Sequence, residues 1–237
     1  MNETIDVMKR HISVRRFTDE RIPDATLREI IEAGRSASSW KNFQSTSIIV
    51  IRSQEKKEAF YAIDSQPAVL SCDTLLVFVG DLNRASKAAT LHDATFDAKG
   101  PENLLISSVD TALVAQNTLL AAESLGYGGV MMGLLRQHST EIADLLQLPD
   151  YTYPIFSLAL GKPDQHHPVK PRLPYETVVF EEVYQEQTTA TIKAYDAVQT
   201  AYAGSRQQNL WSERIVQQFG QKEQAETKRL LEQHKLL

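Results

Sequence analysis

Residues 104–125 read LLISSVDTALVAQNTLLAAESL and run directly into Gly126, Tyr127, Gly128 and Gly129. On a helical wheel Leu105, Val109, Ala112, Leu113, Gln116, Leu119, Leu120 and Ala121 leave the segment apolar around most of its circumference. Such a helix gives up nearly all of its surface to packing, so it either threads the centre of the core or lies against a second copy of the chain. Gly126 is placed to end it in the left-handed conformation that closes many helices.

Short, continuous β-branched runs lie on both sides of this helix. Residues 47–52 (SIIVIR) and 74–80 (TLLVFVG) predict buried strands, with further strands at 130–133 and 153–160. Helices alternate with them: one from Asp24 with Leu27, Ile30, Ile31 and Gly34 at helical spacing, one over 53–63 and a short one over 140–148. Residues 81–101 are polar and without period, which predicts a mobile loop. Strands alternating with helices make an α/β or α+β sandwich.

The balance of 25 Lys+Arg against 30 Asp+Glu leaves a net charge of −5, which supplies no field to attract a polyanion and disfavours nucleic-acid binding. A single cysteine, Cys72, excludes an internal disulfide, and its place beside a strand suits a small core residue better than a nucleophile. The first twenty residues carry Lys9, Arg10, Arg15 and Arg16 and no signal-type apolar run, and stretches such as 75–79 fall far short of the roughly 20 residues that cross a bilayer. The expectation is a cytoplasmic protein with no membrane span. After residue 163 the composition changes to prolines and then to a tail rich in Gln, Glu, Ala and Lys, with helices expected over 188–203 and 211–233. The change marks the end of the core, and Tyr195, Tyr202, Trp211 and Phe219 of the tail need a surface to pack on.

Three polar clusters are candidates for chemistry. His11, Ser13 and Arg15 share one face if the arm before the first helix is extended. Lys170 and Arg172 flank Pro171, which holds the backbone extended and both cations to one side. Together these suit a phosphate, since an arginine fork bonds it bidentately and lysine adds a point charge. Taken alone, charge clusters of this size are usually solvated surface patches. The third cluster, 38–44 (SSWKNFQ), is a polar loop between a helix and a strand, a common place for ligand contacts, but its composition alone favours ordinary turn chemistry. His166 and His167 lack partners at metal-ligand spacing, so no metal site is expected. No Rossmann or P-loop glycine pattern occurs.

His11-x-Ser13-x-Arg15-x-Phe17, the 38–44 loop, Gln66, the 121–129 stretch AAESLGYGG, Gly161-x-Pro163 and the 170–174 stretch KPRLP follow one another in the order and spacing of FMN-dependent nitroreductases. The chain resembles that family, in the branch of the oxygen-insensitive NADPH nitroreductases and NADPH flavin reductases. The resemblance implies an α+β homodimer with a central, mainly antiparallel sheet flanked by helices, an FMN-binding core at 1–175 and a C-terminal helical extension at 176–237 wrapping the partner subunit. It implies FMN at the interface, contacted by His11, Ser13, Arg15, Ser38, Ser39, Gln66, Met132, Gly133, Lys170 and Arg172. It also implies ping-pong, two-electron transfer of hydride from NADPH or NADH through flavin N5 to nitroaromatics, quinones or free flavins, with no protein residue acting as general acid or base.

Departures from the family pattern bear on specificity. The branch places arginines in the extension against the 2′-phosphate of NADPH, whereas here the matching stretches read AGSRQQ over 203–208 and QKEQ over 221–224, leaving Arg206 for that role. Leu134 replaces a glycine, and Trp40, Lys41 and Asn42 replace small residues, which assigns Lys41 and Asn42 to the substrate side. Rival readings are a flavin-destroying or dehalogenating enzyme on the same fold, and a non-catalytic flavin-binding or dimeric interaction protein.

Overall fold

The computed structural model describes residues 2–219 and 225–237. In chain order its elements are α1 (Glu3–Lys9), α2 (Asp24–Arg35), β1 (Thr46–Ile51), α3 (Gln54–Asp64), α4 (Pro67–Ser71), β2 (Thr74–Asp81), α5 (Asn83–Leu91), α6 (Pro101–Ser124), β3 (Gly128–Met132), α7 (Ser139–Leu146), β4 (Thr152–Gly161), α8 (Tyr175–Val178), α9 (Thr189–Ala203), α10 (Trp211–Phe219) and α11 (Ala225–Gln233). The four strands form one antiparallel sheet in the order β1-β2-β4-β3.

The alternation of β2 builds a layer on each face of that sheet. Leu75, Val77 and Val79 point to one side and meet Phe60 of α3, Val69 of α4, Leu135 of the segment leading into α7 and Ile142 of α7. Leu76 and Phe78 point to the other and meet Leu27 and Ile30 of α2 and Val114, Ala115 and Leu119 of α6. With both faces covered, β2 is buried along its whole length, as its uninterrupted apolar run predicts. β1 departs from that expectation. It is the sheet edge, so its side chains are only half covered and Val50 is exposed.

The helix expected over 104–125 begins earlier, at Pro101, where proline needs no backbone donor. Its end follows the sequence: Gly126 has φ of 80°, its N–H donates to the Glu123 carbonyl, and the Tyr127 N–H donates to Ala122. Its burial is more one-sided than the residues suggest. The inward face carries Ser107, Asp110, Thr111, Val114, Ala115, Thr118, Leu119 and Ala122, while Leu105, Val109 and Leu113 stand 59%, 53% and 42% exposed along one stripe. Gly34 lets α2 approach closely, since a Cβ there would lie 2.0 Å from Thr118 Oγ1. Among the described residues α6 is also the one helix long and apolar enough to cross a membrane, a length the apolar runs alone did not suggest.

Besides the short turns α4 and α8, two longer helices lie where none was expected. Asn2 Oδ1 accepts the Thr4 N–H and starts α1, and α5 occupies part of the stretch read as a mobile loop. Neither contributes a buried residue, so neither leaves an apolar period in the sequence.

The chain divides into two compact units, one running to His167 and resuming with α11, the other beginning at Pro168. The division therefore falls at 167/168, and the last helix belongs to the first unit: Leu230, Leu231 and Leu236 pack with Leu82, Ala143 and Tyr153, and the Tyr151 N–H donates to the His234 carbonyl. In the second unit α10 turns back on α9, with Tyr195 and Trp211 edge to face at 4.9 Å and the Ser212 hydroxyl and N–H both on Asp196, which holds that carboxyl below its usual range. The 221–224 stretch, and with it the middle of the helix expected over 211–233, lies outside the described residues.

Candidate active site

The arm after α1 is extended, as the alternation of its residues anticipates. The Val14 N–H donates to the Gly129 carbonyl at 2.9 Å, Ser13 pairs with Gly129 as a parallel bridge, and Phe17 pairs with Pro163. Val14 turns inward and is 2% exposed, leaving Ser13 and Arg15 on the outer side. Gly128 permits this seating, because a Cβ there would come within 2.8 Å of Val14 Cγ2. The arm is thus fastened to β3, the edge strand opposite β1.

His11 does not stand alone on that face. Its Nδ1 lies 2.5 Å from Glu123 Oε1 near the end of α6, which leaves Nε2 as the ring atom for any further partner. Both border a cavity of about 260 Å³ with Arg10, Tyr127, Gln165 and His166. Arg15 is exposed and makes only a 3.5 Å contact to the Ser13 carbonyl, with no carboxylate partner among the described residues. The Ser71 hydroxyl reaches the Arg15 carbonyl at 3.5 Å, which sets α4 beside the arm; Gln66 precedes that helix in extended backbone, with left-handed Ser65 before it.

Met132 ends β3, three residues or about 10 Å from the arm's anchor at Gly129. Gly133 follows against the Arg136 guanidinium, whose Nη1 donates to the Ile155 carbonyl at 2.7 Å; a Cβ at Gly133 would lie 2.6 Å from that nitrogen. Leu134 is half-buried. His11, Ser13, Arg15, Met132 and Gly133 therefore lie along one sheet edge, and Gln66 precedes the helix whose last residue touches the arm.

The loop at 38–44 lies elsewhere. It leads into Thr46, which pairs with Gly80 and, through it, with Tyr153, whereas the arm's anchor Gly129 shares a row with Leu160 and Thr74. Six residue steps along β2 and three strand spacings across the sheet separate the two places, on the order of 25 Å in all. Within one chain Ser38, Ser39, Lys41 and Asn42 do not meet the arm cluster. The loop is rigidly placed: Asp110 of α6 accepts the Trp40 N–H at 2.9 Å and the Ser45 N–H at 3.1 Å, and Arg84 donates to the carbonyls of Gln44 and Thr46. Lys41 Nζ sits 4.6 Å over the Trp40 ring, itself edge to face with Phe43.

In the second unit Tyr195 and Gln199 of α9 both donate to the Pro171 carbonyl, fastening the Lys170–Arg172 segment along that helix. Arg172 is exposed, donates to the Lys170 carbonyl at 3.1 Å and has no carboxylate partner among the described residues. Lys170 borders a cavity of about 300 Å³ with Tyr202, Arg206, Arg214, Gln199 and Gln208. Arg206 is held there by the Tyr202 carbonyl and lies over the Tyr202 ring. Elsewhere, burial pushes the Cys72 thiol up to about 12, so it stays protonated and unreactive.

Sequence reasoning missed Glu123, Asp110, Arg84, Arg136 and Arg214. Asp110 had a readable signal, as the only acid between Glu102 and Glu123 in an otherwise apolar helix. The others act through partners far away in the chain and carry no local mark.

Fold and site define an α+β protein that gathers polar and cationic side chains at the exposed edges of one antiparallel sheet. The chain belongs to the nitroreductase family: the model of that family matches residues 8–162, and that of its C-terminal domain matches 170–237. It is 39% identical over 220 residues to the oxygen-insensitive NADPH nitroreductase of Salmonella typhimurium, covering 91% of this chain and 90% of that protein. It is 35% identical over 228 residues to the FMN reductase [NAD(P)H] of Bacillus subtilis, covering 92% of each. The structure of the NADPH:FMN oxidoreductase of Vibrio harveyi complexed with NAD+ superposes with a TM-score of 0.91 at 36% identity, over 99% of both chains.

Proposed function

We propose that this chain is an FMN-dependent NAD(P)H oxidoreductase that delivers two electrons to nitroaromatics, quinones or free flavins, acting as a cytoplasmic homodimer. The observation that carries the reading is the division of the candidate flavin contacts between opposite ends of one sheet. A single mononucleotide cannot be shared by the arm and the 38–44 loop of one chain, but the arm of one copy and the loop of another can flank it. The apolar stripe of Leu105, Val109 and Leu113 supplies the surface on which a second copy would pack.

The donor set suits FMN. Among the described residues Arg15 and Arg172 have no carboxylate partners, which suits them to a phosphate, and the Ser13 hydroxyl adds a neutral donor. Gln66, Ser38 and Ser39 bring polar groups for the ribityl chain and ring edge, and the backbone at Met132 and Gly133 offers an N–H to the ring. When bound, FMN supplies the two-electron chemistry, accepting hydride from reduced nicotinamide and releasing it to the acceptor. The protein's part is to hold the ring, keep His11 oriented through Glu123 and leave one ring face open for donor and acceptor in turn. Arg206, with Lys170 and Arg214 at the same cavity, suits the 2′-phosphate that distinguishes NADPH from NADH.

The test is flavin retention. Arg15→Ala and Arg172→Ala each remove a charge-assisted bond of about 1.5–3 kcal/mol, so FMN should bind about ten- to hundredfold more weakly in each. The purified yellow protein should bleach with NADPH and recover its colour with a quinone. Unchanged FMN affinity in both variants, or colour that NAD(P)H leaves intact, refutes the reading.

A further inference from the structure

The loop between α2 and β1 is held in a conformation that its own residues disfavour. Lys41, Asn42 and Gln44 have φ of 49°, 59° and 54°, three left-handed residues within four positions and none of them glycine. A loop left to itself would relax from this arrangement, so something must over-determine it.

Two side chains do so from opposite directions. Asp110 is 2% exposed, and its two carboxylate oxygens are divided between the ends of the loop: Oδ1 accepts the Trp40 N–H and Oδ2 the Ser45 N–H. A buried carboxylate with one N–H on each oxygen is a strong, charge-assisted tether. At the exit Arg84 donates to the Gln44 and Thr46 carbonyls, to the Ser47 hydroxyl at 3.0 Å and to Asp81 at 2.9 Å. Within the loop, the Ser39 hydroxyl accepts the Gln44 N–H at 3.2 Å. The strained residues lie wholly between the two clamps.

We propose that Asp110 is a positioning residue for the redox site, with Arg84 as its counterpart: together they fix the strained loop so that Ser38 and Ser39 meet the flavin and Lys41 and Asn42 face the incoming substrate. The inference rests on the function proposed above and adds to it the origin of the loop's geometry. Without the carboxylate, the left-handed residues relax and the loop's contacts are no longer preorganised.

Asp110→Asn keeps the side chain's size and one acceptor oxygen but places an NH₂ against one of the two amides. The full-length variant is compared with the parent protein by amide hydrogen exchange and by FMN titration followed through quenching of flavin fluorescence. The expected result is loss of protection at Trp40 and Ser45 by about tenfold or more and a rise in the FMN dissociation constant of about tenfold, with β2 amides as protected as in the parent. Arg84→Met, at an exposed position, should shift the same readouts in the same direction and serves if Asp110→Asn does not fold. Retained protection at both amides overturns the proposal. So does lost protection with FMN affinity and acceptor KM within about twofold of the parent, since the loop would then be a passive cover. Failure of the parent protein itself to bind FMN removes the proposed function, and this inference with it.

Discussion

Asp64, the last residue of α3, is 1% exposed, and neither of its carboxylate oxygens has a hydrogen-bond partner among the described residues. Burial pushes this carboxyl up to about 6 from 3.8, against a smaller opposing pull from His138. A carboxyl raised on folding binds its proton more tightly in the native chain than in the unfolded one. Well below pH 3.8 both states hold the proton and nothing is lost. As the pH climbs from 4 through 6, the unfolded chain ionises freely while the folded chain must ionise a buried group, and stability falls. The difference of about two pH units corresponds to roughly 3 kcal/mol at pH 8, or about 6–12 °C in Tm for a chain of this length. Asp64→Asn removes the charge and keeps the shape. Urea denaturation of both proteins at pH 4, 6 and 8 isolates the effect, because every other titrating group is common to the pair. The advantage of the variant over the parent should grow from about 0.5 kcal/mol at pH 4 to about 2–3 kcal/mol at pH 8. A difference that stays constant across the three pH values refutes the reasoning.

Val109→Glu puts a charge into the exposed apolar stripe of α6 and should convert a two-copy species into single chains, read by light scattering; a variant that keeps the parent's mass argues against that face as the interface. Arg206→Ala should raise the KM for NADPH by about tenfold and leave that for NADH nearly unchanged, in steady-state assays with each donor; equal changes would remove the 2′-phosphate role.

Legibility in the sequence followed local physics. β2 could be read because an unbroken apolar run has one cheap solution, a strand covered on both faces, and α6 because its apolar residues recur at helical spacing up to a glycine that closes it. α1 and α5 bury nothing and so left no period to read. β1 looked like β2 from its composition, and only the strand order shows that it is an edge. The arm's alternation carried through to its backbone, with Val14 turned in and Ser13 and Arg15 turned out. What sequence could not supply was distance. The 25 Å between arm and loop, and the reach of Glu123 to His11 and of Asp110 to Trp40 across 112 and 70 residues, are products of the assembled fold. The family resemblance stood in for that missing geometry by naming residues together that one chain keeps apart.

That separation has a genetic corollary. In the composite arrangement proposed above, each redox centre borrows its arm from one gene product and its loop from the other. A copy crippled only in the arm and a copy crippled only in the loop are then complementary rather than jointly dead: paired, they assemble one wholly sound centre beside one doubly broken centre. Two lesions that each silence the enzyme when alone would partly cancel when expressed together.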